Sequence, residues 1–394
     1  MAVATRRSKS LVNYRPTEIP LPATFQRNLL MRSVRFGVLA SVCLVALLLT
    51  GQKASDPPGA RMKTFADSFI SSLDEKQKEV VMMDYASEKR TQWHFVPKKE
   101  RKGLAMRDMN SAQRTSALRL LRAALSEAGY DKASKIMLLE GVLRELEGAN
   151  RSAERDPQKY YVTLFGAPSE TDPWALSIEG HHLSLNFSFR DGEVADSTPQ
   201  FFAANPAIVK NEVSGPLGKG TRVLKNEETI AFNLIKSLSE ENKAKAIIAE
   251  KAFKEIRFAG DAQVDVGEPE GVTLAELSED NQKLLKRLIR TYTDAVPEAL
   301  AKKRRGQINK DKWDDVHFAW AGATKPGIGH YYRIRGKSFL VEFVTLRPMR
   351  PATQPTTSTA CGAISQATLT CLINRVSETQ SRFRIRHVLF ETSS

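Results

Sequence analysis

The sequence predicts an α+β fold of two tandem, pseudo-equivalent repeats, each with helices followed by an antiparallel sheet, and with a cleft between the repeats. Residues 162–187 align without a gap with residues 318–343. Amphipathic segments that begin with helix-capping residues precede both copies. The chain has 394 residues, 41% of them hydrophobic, so it is long enough for two domains with apolar cores.

Each aligned copy has the pattern of three strands. Gly166 matches Gly322 and Gly180 matches Gly336, at a constant offset of 156. The last segment of each copy alternates apolar and polar residues, which is typical of a strand with one covered face. Each copy therefore predicts a strand, a turn rich in glycine and proline, a second strand, a tight glycine turn and a third strand.

The helical parts of the chain are also repeated. Residues 69–77 resemble residues 234–242, and the segment 109–128 resembles the segment 277–295. Ser or Asp before Glu in these segments predicts a helix N-terminus. We place the first repeat at residues 64–215 and the second at residues 216–343.

The N-terminal part of the chain has the features of an export signal. A basic segment, residues 1–35, precedes an apolar segment, residues 36–54, which fits the hydrophobic region of a signal peptide and is short for a membrane-spanning helix. Because the cleavage site is poor, an uncleaved membrane anchor is the alternative. A linker is expected at residues 55–63. We expect an exported protein, periplasmic, extracellular or anchored to the inner membrane, that meets a membrane only through this segment.

The net charge of +14, from 59 Lys and Arg against 45 Asp and Glu, is concentrated at the ends of the chain. Residues 1–35 contain seven basic residues and one acidic residue, and residues 344–394 contain six and two. The remaining +4 on the body predicts no nucleic-acid partner. None of the three cysteines lies within residues 51–343, which excludes a disulfide framework or a cysteine zinc site there.

The candidate metal ligands are histidines, of which the chain has six. Imidazole and carboxylate groups suit zinc, iron or copper. A divalent metal is therefore the predicted cofactor, with four candidate ligands: His94, His181, His182 and His330. Glu179 and Arg333 are the candidate catalytic residues, which would orient an anionic or carbonyl substrate. No histidine pair has the spacing that places two rings on one face, so hydrogen-bonded interior histidines are the alternative.

A second set of residues suits the binding of a small-molecule or polymer substrate. It consists of aromatic side chains and one amide within apolar segments: Trp93, Trp174, Asn186, Tyr331 and Tyr332. A solvent-facing position is the alternative for the amide. Glycine motifs for nucleotides and the G-x-S-x-G motif of serine hydrolases are absent from the sequence.

Several motifs follow one another in a fixed order: W-H-F-V-P at 93–97, E-G-H-H-L-S-L-N at 179–186, N-P-A at 205–207, F-A-W-A-G at 318–322 and H-Y-Y-R at 330–333. Together they resemble the bacterial family known as domain of unknown function 3500 (DUF3500). The resemblance covers about residues 64–343 and implies no biochemical role. It does imply a different ending, because members continue after the strand that ends here at Phe343 with a segment like D-N-T-Q and then N-H-I-H-x-V-W-R-D-F.

Residues 344–394 differ from that ending, and the genetic code offers a reason. From Val344 onward, a shift of the reading frame by one base joins the third base of each codon to the first two bases of the next codon. With third bases that the genetic code permits, the shifted frame can encode N-T-Q and, at 356–362, N-H-I-H-S-V-W. We hypothesise that this tail is a frameshift product and expect it to be disordered. Resequencing the gene tests the hypothesis, and an intact frame encoding V-T-L-R-P in related strains would contradict it.

Two functions are open at this point. The first is an exported metal-dependent enzyme, hydrolytic or oxidative, with a histidine-rich cleft. The alternative is a non-catalytic exported ligand-binding or cell-envelope protein with an aromatic cleft. A third expectation concerns the chain as written, which would be unstable or inactive without its last strand, because an unpaired sheet edge favours aggregation.

Overall fold

The computed structural model describes residues 56–345 and 368–374, except for residues 99, 149–153, 259, 262–263 and 265–266. The basic segment 1–35 and the apolar segment 36–54 lie outside the described residues, and so does most of the tail. Within the part of the chain that is described, no helix is long and apolar enough to cross a membrane.

The described residues contain eight α-helices, four in each repeat. In chain order they are α1 (Pro58–Ser71), α2 (Glu75–Val81), α3 (Ser111–Ala124), α4 (Glu127–Glu147), α5 (Lys225–Ser237), α6 (Glu240–Ala246), α7 (Glu279–Thr293) and α8 (Glu298–Lys310). Side-chain caps begin five of them, at Asp74, Asn110, Ser126, Ser239 and Ser278. Each of these side chains accepts a hydrogen bond from a backbone N–H of the first turn, which has no partner within the helix.

The linker expected at residues 55–63 is wrong from Pro58 onward, because α1 begins there. Proline is compatible with the first helical turn, where a backbone N–H would have no partner within the helix. Met62 and Phe69 of this helix are fully buried, at 0% exposure. The segment is therefore part of the first apolar core.

The strands of the described residues form one mixed sheet. They are β1 (Met82–Met83), β2 (Leu104–Ala105), β3 (Tyr160–Phe165), β4 (Trp174–Gly180), β5 (Leu183–Arg190), β6 (Glu193–Asp196), β7 (Gln200–Ala204), β8 (Ile247–Ala249), β9 (Val272–Thr273), β10 (His317–Gly322), β11 (His330–Arg335), β12 (Phe339–Thr345) and β13 (Thr368–Asn374). The order along the sheet is β1-β3-β4-β5-β7-β13-β12-β11-β10-β8, with β2, β6 and β9 beside β3, β5 and β10.

Strand pairing is the same in the two repeats after a shift of 156 residues. Val162 pairs with Ile178 between β3 and β4, and Phe318 pairs with Ile334 between β10 and β11. The β4–β5 and β11–β12 pairings follow the same shift. In addition, β1 runs parallel to β3 as β8 runs parallel to β10. The α+β class is confirmed, and the elements repeat in tandem.

The helices cover one face of the sheet, and a third apolar cluster covers part of the other. Neighbouring strand residues point to opposite faces. Tyr332 accordingly joins the core beneath the helices of the second repeat. Tyr331 joins the third cluster, which includes Trp93, Phe95 and Phe201. Polar residues of the first repeat lie on this face too, because Ser184 pairs with Phe201 and Glu179 pairs with Ser184.

The strand β13 departs from the expectation of a disordered tail. It pairs antiparallel with β12 along its whole length and with β7 at Gln200–Ala204, so the edge after Phe343 is not exposed. Two facing strand edges leave backbone N–H and C=O groups unpaired, and the run T-L-T-C-L-I-N supplies the strand that satisfies them. At the level of the sheet, β13 therefore bridges the cleft expected between the repeats.

Candidate functional site

A pocket of about 270 Å³ lies where the turn between β4 and β5 meets α4. His181 of the turn, Glu140 of α4 and Tyr160 of β3 are among its lining residues. Charged side chains of both signs complete the walls: Lys98, Arg101, Glu154, Asp156 and Lys159. The pocket lies within the first repeat, and most of its walls are titratable groups.

Local packing sets the position of His181 in the β4–β5 turn. Gly180 lies so close to the Tyr160 ring that a Cβ atom at position 180 would overlap ring carbons. The Tyr160 hydroxyl donates to the His181 carbonyl oxygen at 2.9 Å. His182 follows with a φ of 64°, a left-handed conformation that tight turns use. Only two residues separate the paired Gly180 and Leu183, so the turn has little freedom.

His181 and Glu140 form a close pair in the pocket wall. The His181 Nδ1 and Glu140 Oε1 atoms are 2.5 Å apart. Arg155 Nη1 lies 3.2 Å from the same ring nitrogen and 3.8 Å from Glu140 Oε2. Glu147 holds Arg155 in turn, because it accepts from Nε at 2.8 Å and from Nη2 at 2.9 Å. The ring thus has a carboxyl group that orients it and an ion pair behind that group.

The carboxyl group of Glu140 binds its proton more tightly than an ordinary glutamate does. Its residue exposure is 2%, and burial raises the pKa of Glu140 to about 8, with Arg155 acting in the opposite direction. The charged form is disfavoured because the site gives it little solvation. Carboxyl groups perturbed in this way, and placed in a pocket wall, are candidates for proton transfer.

His182 has a different environment, although its ring centroid is 3.7 Å from that of His181. Both of its ring nitrogens are buried without a hydrogen-bond partner, and burial lowers the pKa of His182 well below its usual value. The backbone sets its position, because its N–H donates to Phe95 O at 2.9 Å and its carbonyl accepts from Ala203 N at 2.8 Å. The ring is therefore held neutral.

Glu179, a candidate catalytic residue, is placed beside two cations. Its side chain is 3% exposed and lies 3.3 Å from Lys102 Nζ and 3.7 Å from Arg101 Nη1. Burial lowers the pKa of both Arg101 and Lys102, and the Glu179 carboxylate opposes that effect. Glu179 neutralises buried positive charge and is not among the residues that line the pocket.

Arg333, the other candidate catalytic residue, lies in the second repeat on the face of the third cluster. It is 1% exposed, and its Nη2 donates to Glu270 Oε2 at 2.6 Å. On the neighbouring strand, Glu342 accepts from the Tyr331 hydroxyl at 2.6 Å and from Arg257 N at 3.1 Å. Burial raises the pKa of Glu342. Arg333 and Tyr331 thus have carboxylate partners, the half-exposed Glu270 and the buried Glu342, and none of these residues lines the His181 pocket.

The expected metal ligands occupy different parts of the molecule. The structure brings His181 and His182 together. His330 is fully buried in the second repeat, where it stacks on Trp320 with ring centroids 5.4 Å apart and its Nδ1 donates to Ile328 O at 2.9 Å. His94 lies in the segment before β2. In the described parts of the chain, no three His, Cys, Asp or Glu side chains form a group that could hold a metal ion, and metal binding stays a prediction.

The candidate substrate-binding residues are divided between the two faces of the sheet. Trp174 stacks on Phe189 at a centroid distance of 3.7 Å in the core beneath the helices, and Tyr332 lies in the equivalent core of the second repeat. Tyr331 and Trp93 lie in the third cluster. The alternation of side chains along a strand separates them. Trp93 and Asn186 do line one cavity together.

A family model for a protein of unknown function, DUF3500, matches residues 55–356. The chain belongs to this family. The match covers both repeats and confirms the resemblance that the sequence motifs indicated. Neither a curated protein nor a solved structure matches the chain. Membership of DUF3500 assigns no activity, so a functional proposal depends on the geometry of the site.

Three residues of the site were missed by sequence reasoning. Glu140 had a signal, because it interrupts the apolar run I-M-L-L-E-G-V-L at 136–143, where a carboxylate needs a partner. No sequence signal pointed to Arg155 or Glu147. They lie on either side of residues 149–153, and only the folded chain brings Arg155 into contact with both Glu147 and His181.

Proposed function

We propose that this DUF3500 protein is a hydrolytic enzyme in which His181 is the general base and Glu140 orients it. The observation that carries the proposal is the separation of 2.5 Å between His181 Nδ1 and Glu140 Oε1 in the wall of a pocket. A histidine ring oriented by a buried carboxyl group is the arrangement that general acid–base catalysis uses.

The chemistry follows from the two ring nitrogens of His181. Above about pH 8 Glu140 is a carboxylate, and His181 Nδ1–H then donates to it, so Nε2 is the nitrogen that accepts a proton. In this state Arg155 is the counter-ion of the carboxylate, 3.8 Å from Oε2, because a guanidinium cannot accept from Nδ1–H. A water molecule that gives its proton to Nε2 becomes the nucleophile, and the carboxylate stabilises the imidazolium that forms. Burial raises the pKa of Glu140 to about 8, so the pair holds an additional proton at lower pH. The base-catalysed rate should therefore rise with pH and level off above about 8.

Two expectations accompany this proposal. The apolar segment 36–54, outside the described residues, supports export to the periplasm or the cell exterior, with or without an inner-membrane anchor. A divalent metal would use His181 and His182 first, because these two candidate ligands are in contact. Elemental analysis of the purified protein tests the metal independently of the acid–base proposal.

The activity test compares His181→Gln and Glu140→Gln with the parent protein on a panel of p-nitrophenyl esters, phosphates and glycosides. We expect each variant to lose roughly 100-fold or more of any rate found. His317→Gln is the matched control. His317 lies in the second repeat, where its Nδ1 donates to Asp315 O at 2.8 Å, and the control should keep full activity.

A measurement that needs no substrate complements this test. Nitrogen NMR of the histidine rings reports which nitrogen of His181 carries the proton. Above about pH 8, where Glu140 is a carboxylate, we expect the parent protein to carry the proton on His181 Nδ1 and Glu140→Gln to shift the balance between the two tautomers. If no panel member is hydrolysed and the tautomer of His181 is unchanged by Glu140→Gln, the proposal is wrong.

A further inference from the structure

A second cavity, of about 150 Å³, lies in the first repeat. Four hydroxyl side chains are among its walls, those of Thr91, Ser177, Ser188 and Thr198. The Asn186 amide and the Trp93 and Phe165 rings line it as well. None of these residues lines the His181 pocket. The two cavities are therefore separate sites.

The polar strand residues of this cavity lie on one face of the sheet. Ser177 of β4 is 1% exposed, and Asn186 and Ser188 of β5 are half-buried. On the other face of the same strands, Leu176, Ile178 and Leu185 belong to the apolar core. Stability alone favours apolar residues at covered positions, because a buried hydroxyl group costs free energy unless it is hydrogen-bonded.

The second repeat shows that the fold does not require the hydroxyl group at position 188. At the offset of 156, Asn186 corresponds to Glu342 and Ser188 corresponds to Val344. Val344 belongs to the third apolar cluster. A valine is thus compatible with the same strand position in the same sheet, and the hydroxyl group at 188 is a specific property of the first repeat.

Hydrogen bonds hold the Asn186 amide in a single orientation. Its Nδ2 donates to Pro199 O at 3.0 Å and to Ser184 Oγ at 3.2 Å. Its Oδ1 accepts from Ser177 Oγ at 3.1 Å. Both Nδ2 hydrogens are engaged, so the amide offers a ligand the second lone pair of Oδ1. Because the amide is preorganised, this contact does not cost the entropy of ordering a mobile side chain.

The charges at this cavity are balanced. Arg90 lies over the Tyr85 ring at 4.4 Å from its centroid, and its Nε donates to Tyr85 O at 2.8 Å. Asp196 Oδ1 accepts from the hydroxyl of Thr198 at 2.9 Å. One guanidinium and one carboxylate give no net charge. The lining therefore favours a neutral ligand that offers several hydroxyl groups.

We propose that this cavity binds a neutral polyhydroxylated ligand of about the size of one sugar ring. Hydroxyl and amide groups match the hydrogen-bonding groups of such a ligand, and the aromatic walls match its apolar ring faces. The volume of 150 Å³ is below that of the pockets that take drug-sized molecules. This site is independent of catalysis by His181.

The test is isothermal titration calorimetry of the full-length protein with D-glucose, D-galactose, D-mannose, N-acetyl-D-glucosamine and myo-inositol. D-Glucuronate and D-glucosamine serve as charged counterparts. We expect at least one neutral compound to bind and its charged counterparts to bind about tenfold more weakly or worse, because the balanced lining leaves an added charge without a partner.

The variant Ser188→Val fills the cavity with the residue type found at position 344. We expect it to weaken binding by about tenfold or more with an unchanged melting temperature. Thr115→Val on α3, whose exposed hydroxyl donates to Ser111 O at 2.9 Å, is the control and should bind like the parent. The proposal is overturned if no neutral compound binds at concentrations of tens of millimolar, if a charged counterpart binds more tightly, or if Ser188→Val binds as well as the parent.

Discussion

The two histidines of the β4–β5 turn are neighbours with different surroundings. His181 contacts a carboxyl group and a guanidinium at the pocket wall, whereas the ring nitrogens of His182 contact no hydrogen-bonding group. Burial without a partner disfavours a charged imidazole. His182 is therefore held neutral, and His181 has the environment that proton transfer needs.

Glu140→Gln is expected to change how stability depends on pH. The folded protein keeps the Glu140 proton up to about pH 8, while the unfolded chain releases it near the ordinary pKa of 4.5. The free energy of unfolding of the parent therefore falls as the pH rises through this interval, and the variant lacks this contribution. The two profiles should diverge by roughly 1–4 kcal/mol, measured by urea denaturation between pH 5 and about 8.

Asp131→Asn is the matched control for that measurement, because Asp131 lies on the same helix with its side chain 56% exposed. It should leave the pH profile of stability close to that of the parent. Parallel profiles for the parent and Glu140→Gln would show that burial does not raise the pKa of Glu140.

His182 offers a direct measurement of backbone strain. Its φ is 64°. This left-handed conformation costs free energy in a residue with a Cβ atom but not in glycine. We expect His182→Gly to be more stable than His182→Ala by roughly 1 kcal/mol, measured by thermal or urea unfolding. Both variants remove the same imidazole, so the difference between them reports the backbone alone. Equal stabilities would mean that the turn relaxes out of the left-handed region.

At the scale of elements, α4 contains two glycines in different surroundings. A Cβ atom at Gly129 would overlap Ala295 O, at the corner between α7 and α8. A Cβ atom at Gly141 would meet only Pro157 Cγ at 3.7 Å. The first glycine permits the helices of the two repeats to approach, and the second has no such role.

Alanine substitutions should therefore have opposite effects at these two positions. Gly129→Ala is expected to lower the free energy of unfolding by about 1–3 kcal/mol, because backbone atoms must move apart. Gly141→Ala is expected to raise it by about 0.5–1 kcal/mol through the higher helix propensity of alanine. Urea denaturation of both variants checks the prediction. A stabilising effect at position 129 would contradict the close approach.

The connections to the two central strands differ between the repeats. Residues 191–199 join β5 to β7, whereas residues 346–367 join β12 to β13. A shift of 156 carries β7 to residues 356–360, where the shifted reading frame allows N-H-I-H-S. The symmetry of the repeats thus supports the frameshift hypothesis. Resequencing should give a gene that encodes this strand at 356–360, and a confirmed V-T-L-R-P frame would contradict it.

At the scale of the whole molecule, β13 joins the two halves of the sheet. Its backbone pairs with β12 on one side and with β7 on the other. We expect amides 368–374 to exchange with deuterium as slowly as those of β12, because strands paired on both sides open only in large unfolding events. The strand β6, which pairs with β5 at the side of the main sheet order, should exchange faster. Fast exchange at 368–374 beside slow exchange in β12 would place the tail outside the sheet.

Local sequence patterns indicated several helix starts and three strands of each repeat. Capping residues such as Asp74 and Ser278 set helix starts within one turn, and the 156-residue repeat predicted three strands whose register the structure repeats. These signals are short in range, so a sequence shows them. The contact of His181 with Glu140 joins residues 41 positions apart. The apolar run at 136–143 indicates that Glu140 is buried, but it does not indicate which side chain the carboxyl group meets. Only the tertiary structure could decide which histidine meets a carboxyl group, because such pairs form where separate elements pack.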